Sequence, residues 1–99
     1  MPVEVRIAKS AFADLHAIQT WYDRQDMPET GARLVGVIIA RIENLKDHPD
    51  FGRVVPEFGQ SFLSELLHPP FRIVYRRDPN AVRIVRIWHS ERRLRLPEQ

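Results

Sequence analysis

Apolar residues change their spacing twice along this chain of 99 residues. Val3, Val5 and Ile7 alternate with Glu4 and Arg6, the two-residue period of a short strand, predicted over residues 3–8. From Ala11 the period lengthens. Ala11, Leu15, Ile18 and Tyr22 form the stripe of an amphipathic helix that runs to about Gln25. Ser10 is placed to cap it, because a serine hydroxyl accepts a free amide of the first turn. Asp26-Met27-Pro28-Glu29 interrupts the helix and restarts it. Proline lacks only an N–H that the first turn does not use, and Glu29 suits the positive end of the helix dipole. Val35, Ile38, Ile42 and Leu45 carry the second stripe, and Pro49 ends it by pushing His48 out of the helical region. The short link predicts an antiparallel helical hairpin.

After Pro49 the period returns to two. Phe51-Gly52 turns the chain into Arg53-Val54-Val55, and Pro56 and Gly59 bound a loop. Residues 61–67 fit a strand or a helical turn and are read as strand. Phe71, Ile73 and Tyr75 alternate with Arg72, Val74 and Arg76. Asp78-Pro79-Asn80 is turn chemistry, and residues 81–89 alternate again with many β-branched side chains, so these last two runs predict a hairpin. The order strand, helix, helix, strands makes the fold α+β. An N-terminal strand and an antiparallel two-helix hairpin pack on one face of a small antiparallel sheet, in a single domain spanning residues 1–99.

Composition narrows the function classes. The chain has no cysteine, which excludes disulfides and thiolate metal sites and agrees with a reducing cytoplasm. The first residues lack the basic-then-apolar pattern of a secretory signal, and the apolar run around residues 34–40 is too short to span a bilayer. Charge is uneven. Residues 1–50 hold six basic and eight acidic side chains; residues 51–99 hold nine basic and five acidic, and all nine are arginines. Arginine offers a planar fork that binds two oxygens of a phosphate or carboxylate at once. An anion-binding sheet face is the expectation, set against a plainer one in which arginine stems simply cover apolar surface.

Several stretches together resemble one family. They are Ala11-Phe12-Ala13-Asp14-Leu15, Trp21-Tyr22, Leu45-Lys46-Asp47-His48-Pro49, Gly52-Arg53, Pro56-Glu57, Phe71-Arg72-Ile73-Val74-Tyr75-Arg76 and Val85-Arg86-Ile87-Trp88-His89. In this order and spacing the chain resembles the RelE/ParE superfamily of toxins from type II toxin–antitoxin systems. The resemblance implies growth inhibition, a cognate antitoxin partner that wraps and neutralises the toxin, a cytoplasmic location and no cofactor. It implies either of two targets. RelE-like and YoeB-like members cleave mRNA on the ribosome, whereas ParE-like members poison DNA gyrase and are not known as nucleases. A non-catalytic nucleic-acid-binding or interaction module of the same fold is the alternative.

For RNA cleavage, the resemblance places Glu57 as the base at the 2′-hydroxyl, Arg72 as the cation on the phosphorane and His89 as the acid at the leaving oxygen. No metal is implied. Tyr75 would stack on a base, and Arg53, Arg76, Arg83, Arg86, Arg92 and Arg93 would hold nucleic acid or the target protein. Each has a plainer reading: Glu57 as a solvated loop residue, Arg72 as one half of an ion pair, His89 as a satisfied strand-end histidine. The arginine and histidine of the last strands occur in ParE-like members as well. The lysines that RelE-like members bring to the site have no counterpart here, because Lys9 and Lys46 lie outside the sheet segments.

Overall fold

The computed structural model describes residues 2–89. Strand β1 (Glu4–Ile7) leads into helices α1 (Lys9–Arg24) and α2 (Pro28–Asn44), followed by β2 (Arg53–Val54), β3 (Leu63–His68), β4 (Phe71–Asp78) and β5 (Ala81–His89). The five strands form one sheet in the order β1-β5-β4-β3-β2. The α+β reading holds, but the sheet is mixed. β2 to β5 pair antiparallel, whereas β1 lies parallel to β5, with Glu4 beside Ala81 and Ile7 beside Ile84. Alternation shows which side chains a strand buries; it says nothing of the strand's neighbour or direction.

The helices turn back on one another at Gln25–Met27, where Asp26 adopts a left-handed φ of 58°. That conformation suits a helix end and is tolerated by aspartate. α2 opens with Pro28 in its first turn, as its sequence requires. α1 opens differently from the expectation. Ala8 occupies the N-cap, and the Ser10 hydroxyl donates to the Val85 carbonyl of β5 at 2.6 Å instead of capping the helix. The competing partner is a sheet-edge carbonyl just beyond the end of β1, and the serine serves the edge.

The main core lies between hairpin and sheet. Ala11 and Leu15 of α1 and Ile38 and Ile42 of α2, with Leu45 just beyond, meet Leu66, Phe71, Ile73, Tyr75, Val82, Ile84 and Ile87. A smaller cluster fills the opposite face of the sheet: Val55, Leu63, Val74 and Trp88, with Phe58 and Val85 packed against it. The segment after β2 therefore covers part of the face expected to be free. Phe71 to Tyr75 are consequently buried on both faces of β4, the inner strand of the sheet. A bulge sets Val74 opposite Arg86 and Tyr75 opposite Ile84, leaving Val85 unopposed. Among the described residues, no helix is long and apolar enough to cross a membrane.

Candidate functional site

The open face of the sheet carries a ladder of alternating charge. Arg53 and Glu65 stand opposite each other across β2 and β3, and Arg72 lies on neighbouring β4. Arg53 Nε donates to Glu65 Oε2 at 2.9 Å. Arg72 Nε donates to Glu65 Oε1 at 2.6 Å. The outer edge of the Arg72 guanidinium grips Glu57, with Nη1 donating to Oε2 at 2.6 Å and Nη2 to Oε1 at 3.0 Å. The fork is thus filled on both sides. The Glu65 side chain is wholly buried and that of Arg72 nearly so, while the Glu57 side chain is 45% exposed. Hydrogen bonding from Arg72 holds the Glu57 carboxyl below the usual carboxylate range. The two carboxylates, Glu57 first, hold the Arg72 guanidinium even further on the charged side than an ordinary arginine.

Of the three residues assigned to RNA cleavage, the fold brings two together. Glu57 and Arg72 meet; His89 faces the other way. It sits opposite Phe71 in the β4–β5 register, and its ring meets the Phe71 ring edge-on at 5.7 Å. Phe71 belongs to the helix-side core, whereas Arg72 sits opposite Trp88 of the other cluster. Neighbouring residues on a strand project from opposite faces, so the sheet stands between His89 and the Glu57–Arg72 pair. His89 instead lines a groove of about 530 Å³ beside α1, with Asp14, Ile18, Trp21, Tyr22 and Phe71.

Tyr75 corrects an expectation. It is fully buried and unavailable to stack on a nucleotide base. Its hydroxyl donates to the Pro49 carbonyl and accepts from the Gly52 amide, each at 2.9 Å, and burial pushes its phenol pKa up. The tyrosine pins the connection between α2 and β2 to the sheet. Gly52 is needed at that contact: a Cβ there would lie 2.6 Å from the Tyr75 hydroxyl and 2.7 Å from the Glu65 carbonyl oxygen. Tyr75→Phe leaves a partly buried carbonyl and amide without their partner and is expected to cost about 1–3 kcal/mol. Urea unfolding measures this; an unchanged midpoint would mean that water replaces the hydroxyl.

The remaining arginines are less free than their number suggests. Arg86 donates through Nε and Nη2 to both carboxylate oxygens of Asp14 on α1, at 2.7 and 2.9 Å, and lies over the Trp88 ring at 5.0 Å. It ties helix to sheet and so does not project freely from the strand. Arg76 reaches Asp78 at 3.2 Å and stacks over Phe62, and Arg77 pairs with Asp50. Arg83 is exposed and makes no ion pair among the described residues. Arg92 and Arg93 lie outside the described residues.

Three acidic residues that complete this arrangement escaped the sequence reading. Glu65 lies in the stretch that fitted strand and helix alike. Asp50 follows the proline that ends the second stripe. Asp14 had a legible signal: it falls between Ala11, Leu15 and Ile18, inside the buried stripe of α1, where a carboxylate needs a partner. It accepts from the Ile87 amide at 2.8 Å as well as from Arg86.

Comparison with known proteins agrees with this fold. A family model described as the ParE toxin of the type II toxin–antitoxin system parDE matches residues 5–94. No significant match is found among curated proteins. Among solved structures, the chain is similar to one from the chromosomal ParDE system of P. aeruginosa. The identity is 25% and the TM-score 0.74, over 88% of this chain and 95% of the other. The fold also matches a chain of the RelBE2 toxin–antitoxin complex from Mycobacterium tuberculosis, with 20% identity and a TM-score of 0.67, over 90% of this chain and 99% of the other. With a single family model spanning all five strands and both helices, the chain belongs to the ParE toxin family, as the toxin of a type II toxin–antitoxin system with an antitoxin as its partner.

Proposed function

We propose that this toxin arrests growth by binding and poisoning DNA gyrase in the cytoplasm, and that it does not cleave RNA. One observation carries the choice between the two targets implied by resemblance. Arg72, paired with Glu65 and Glu57, stands on one face of the sheet, while His89 lies on the other. In-line attack of a 2′-hydroxyl needs base, cation and acid around a single phosphate. Glu57 held as an ion-paired carboxylate of lowered pKa is a poor proton acceptor, and Tyr75, the aromatic assigned to base stacking, is buried. The family match to ParE supports the same reading. Glu57 and Arg72 are, in this view, members of a charge network that shapes the open face. Of the arginines assigned to the target, Arg83 is the best-placed described candidate.

The test is induction of the toxin in bacteria lacking its antitoxin, followed within minutes by two measurements. Covalent gyrase–DNA complexes should accumulate, while primer extension along translated messages should find no new 5′ ends. New ends inside reading frames, abolished by His89→Ala, would overturn the proposal and restore the nuclease reading.

A further inference from the structure

Beside the charge ladder lies a second cavity, of about 310 Å³, lined by Arg53, Glu57 and Arg72 and by Pro56, Leu67, Pro69 and Phe71. Leu67 is 42% exposed there, although it is a strand residue with an aliphatic side chain. Within this lining, Glu57 is paired to Arg72 through both carboxylate oxygens. From this we infer that Glu57 is a built-in stand-in for a ligand: the cavity receives an acidic, aliphatic peptide segment of a partner protein, whose carboxylate displaces Glu57 from Arg72.

Charge carries the argument first. With Glu57 in place, two guanidiniums face two carboxylates, Glu57 and Glu65. With Glu57 swung away, Arg53 and Arg72 face only the buried Glu65, and the end of an aliphatic cavity becomes net positive. The seat is then complementary to one carboxylate. Its shape is already tested by the chain itself, since Glu57 engages the fork with both oxygens, the geometry that specifies carboxylate recognition.

The two carboxylates on Arg72 are not equivalent. Glu65 is sealed in the sheet, whereas the Glu57 side chain is half in solvent and belongs to a short turn. Phe58 and Gly59 donate their amides to the Val55 carbonyl, and Gly59 has a φ of 60°, so the turn is closed on itself and not laddered to a strand at Glu57. Exchanging Glu57 for an incoming carboxylate conserves the ion pair, so the electrostatic terms nearly cancel. Contact of the incoming side chains with Leu67, Pro56 and Pro69 then favours the partner. The aliphatic and proline walls, with the Phe71 ring almost wholly buried, favour a peptide over a nucleic acid, which would need an exposed aromatic or a wider cationic track.

An intramolecular competitor acts at an effective concentration in the millimolar range. Removing its charge therefore strengthens binding. Fluorescence anisotropy of the purified toxin with a short labelled peptide of leucine, glutamate and serine is the direct test, beside the same peptide with glutamine for glutamate. Glu57→Gln should tighten the glutamate peptide roughly tenfold or more, should do nothing for the glutamine peptide, and Leu67→Ser should weaken it in either background. Unchanged or weaker binding in Glu57→Gln, with its melting temperature intact, would overturn the inference. So would an equal gain by a short single-stranded RNA, which would make the seat a phosphate site. None of these outcomes depends on whether gyrase is the target.

Discussion

Replacing Glu65 with alanine is expected to destabilise the fold by about 3 kcal/mol, a loss of more than roughly 10 °C in melting temperature for a domain of this size. The cost does not come from the ion pair alone. Arg53 is well exposed and regains water when its partner is lost, but Arg72 is nearly buried and stays so. Without Glu65 it keeps only Glu57, whose side chain is half in solvent. The guanidinium Nε then faces a small void instead of an oxygen at 2.6 Å. Removing one member of a buried pair is costly because the other remains desolvated. Glu65→Gln preserves the volume and one acceptor and should fall between alanine and wild type. A melting curve for Glu65→Ala within a few degrees of wild type would mean that Arg72 swings out to solvent, and that the ladder is a surface feature.

A second large effect is expected at Asp14, of about 2 kcal/mol for Asp14→Ala. One carboxylate there accepts from Arg86 Nε, Arg86 Nη2 and the Ile87 amide, and the pair it forms is largely shielded from water. The alanine variant leaves Arg86 over Trp88 with no counter-charge and the Ile87 amide with no acceptor. The place of the damage is as informative as its size. Amide exchange at Ile87 should accelerate, while amides of the β3–β4 pairing should keep their protection. Asp14→Asn retains an acceptor for Ile87 and should protect that amide while still losing most of the arginine pairing. Uniform loss of protection across the sheet would show instead that α1 docks through its apolar stripe together with this contact as one unit.

Much of this architecture was legible from residue spacing because it is local. The stripes Ala11-Leu15-Ile18 and Ile38-Ile42 and the alternation through Phe71-Ile73-Tyr75 each reflect a period set by one element against one apolar neighbour. What the spacing left open is non-local. Glu65 and Arg72 are seven positions apart and meet only because β3 and β4 pair in a particular register. The resemblance implied a base-stacking role for Tyr75, but its side of the strand is the helix side, and its hydroxyl is used by the backbone at Pro49 and Gly52. The arginine count in the second half suggested a free cationic face. Their partners come largely from residues far off in sequence, among them Asp14, Asp50 and Glu65, and a tally of charge by halves cannot reveal that. The parity of His89 against Arg72 is a strand property and was within reach, but the count runs through the Pro79-Asn80 turn and a bulge at Val74/Tyr75 that shifts the register.

The parallel pairing of β1 with β5 has a consequence for how the toxin comes into being. The first strand made hydrogen-bonds with Ala81–Ile84 of β5, the last of the described strands, so the sheet cannot close while that segment is still inside the ribosome. Contacts of such long sequence separation form late, after the loop between them has been ordered. α1 and α2 are free to form their hairpin early, but the β5 edge that Ser10 and Asp14 grip does not yet exist. Synthesis therefore separates early formation of the helical hairpin from late closure of the sheet, and the folded toxin exists only once Ala81–Ile84 has emerged to receive the first strand.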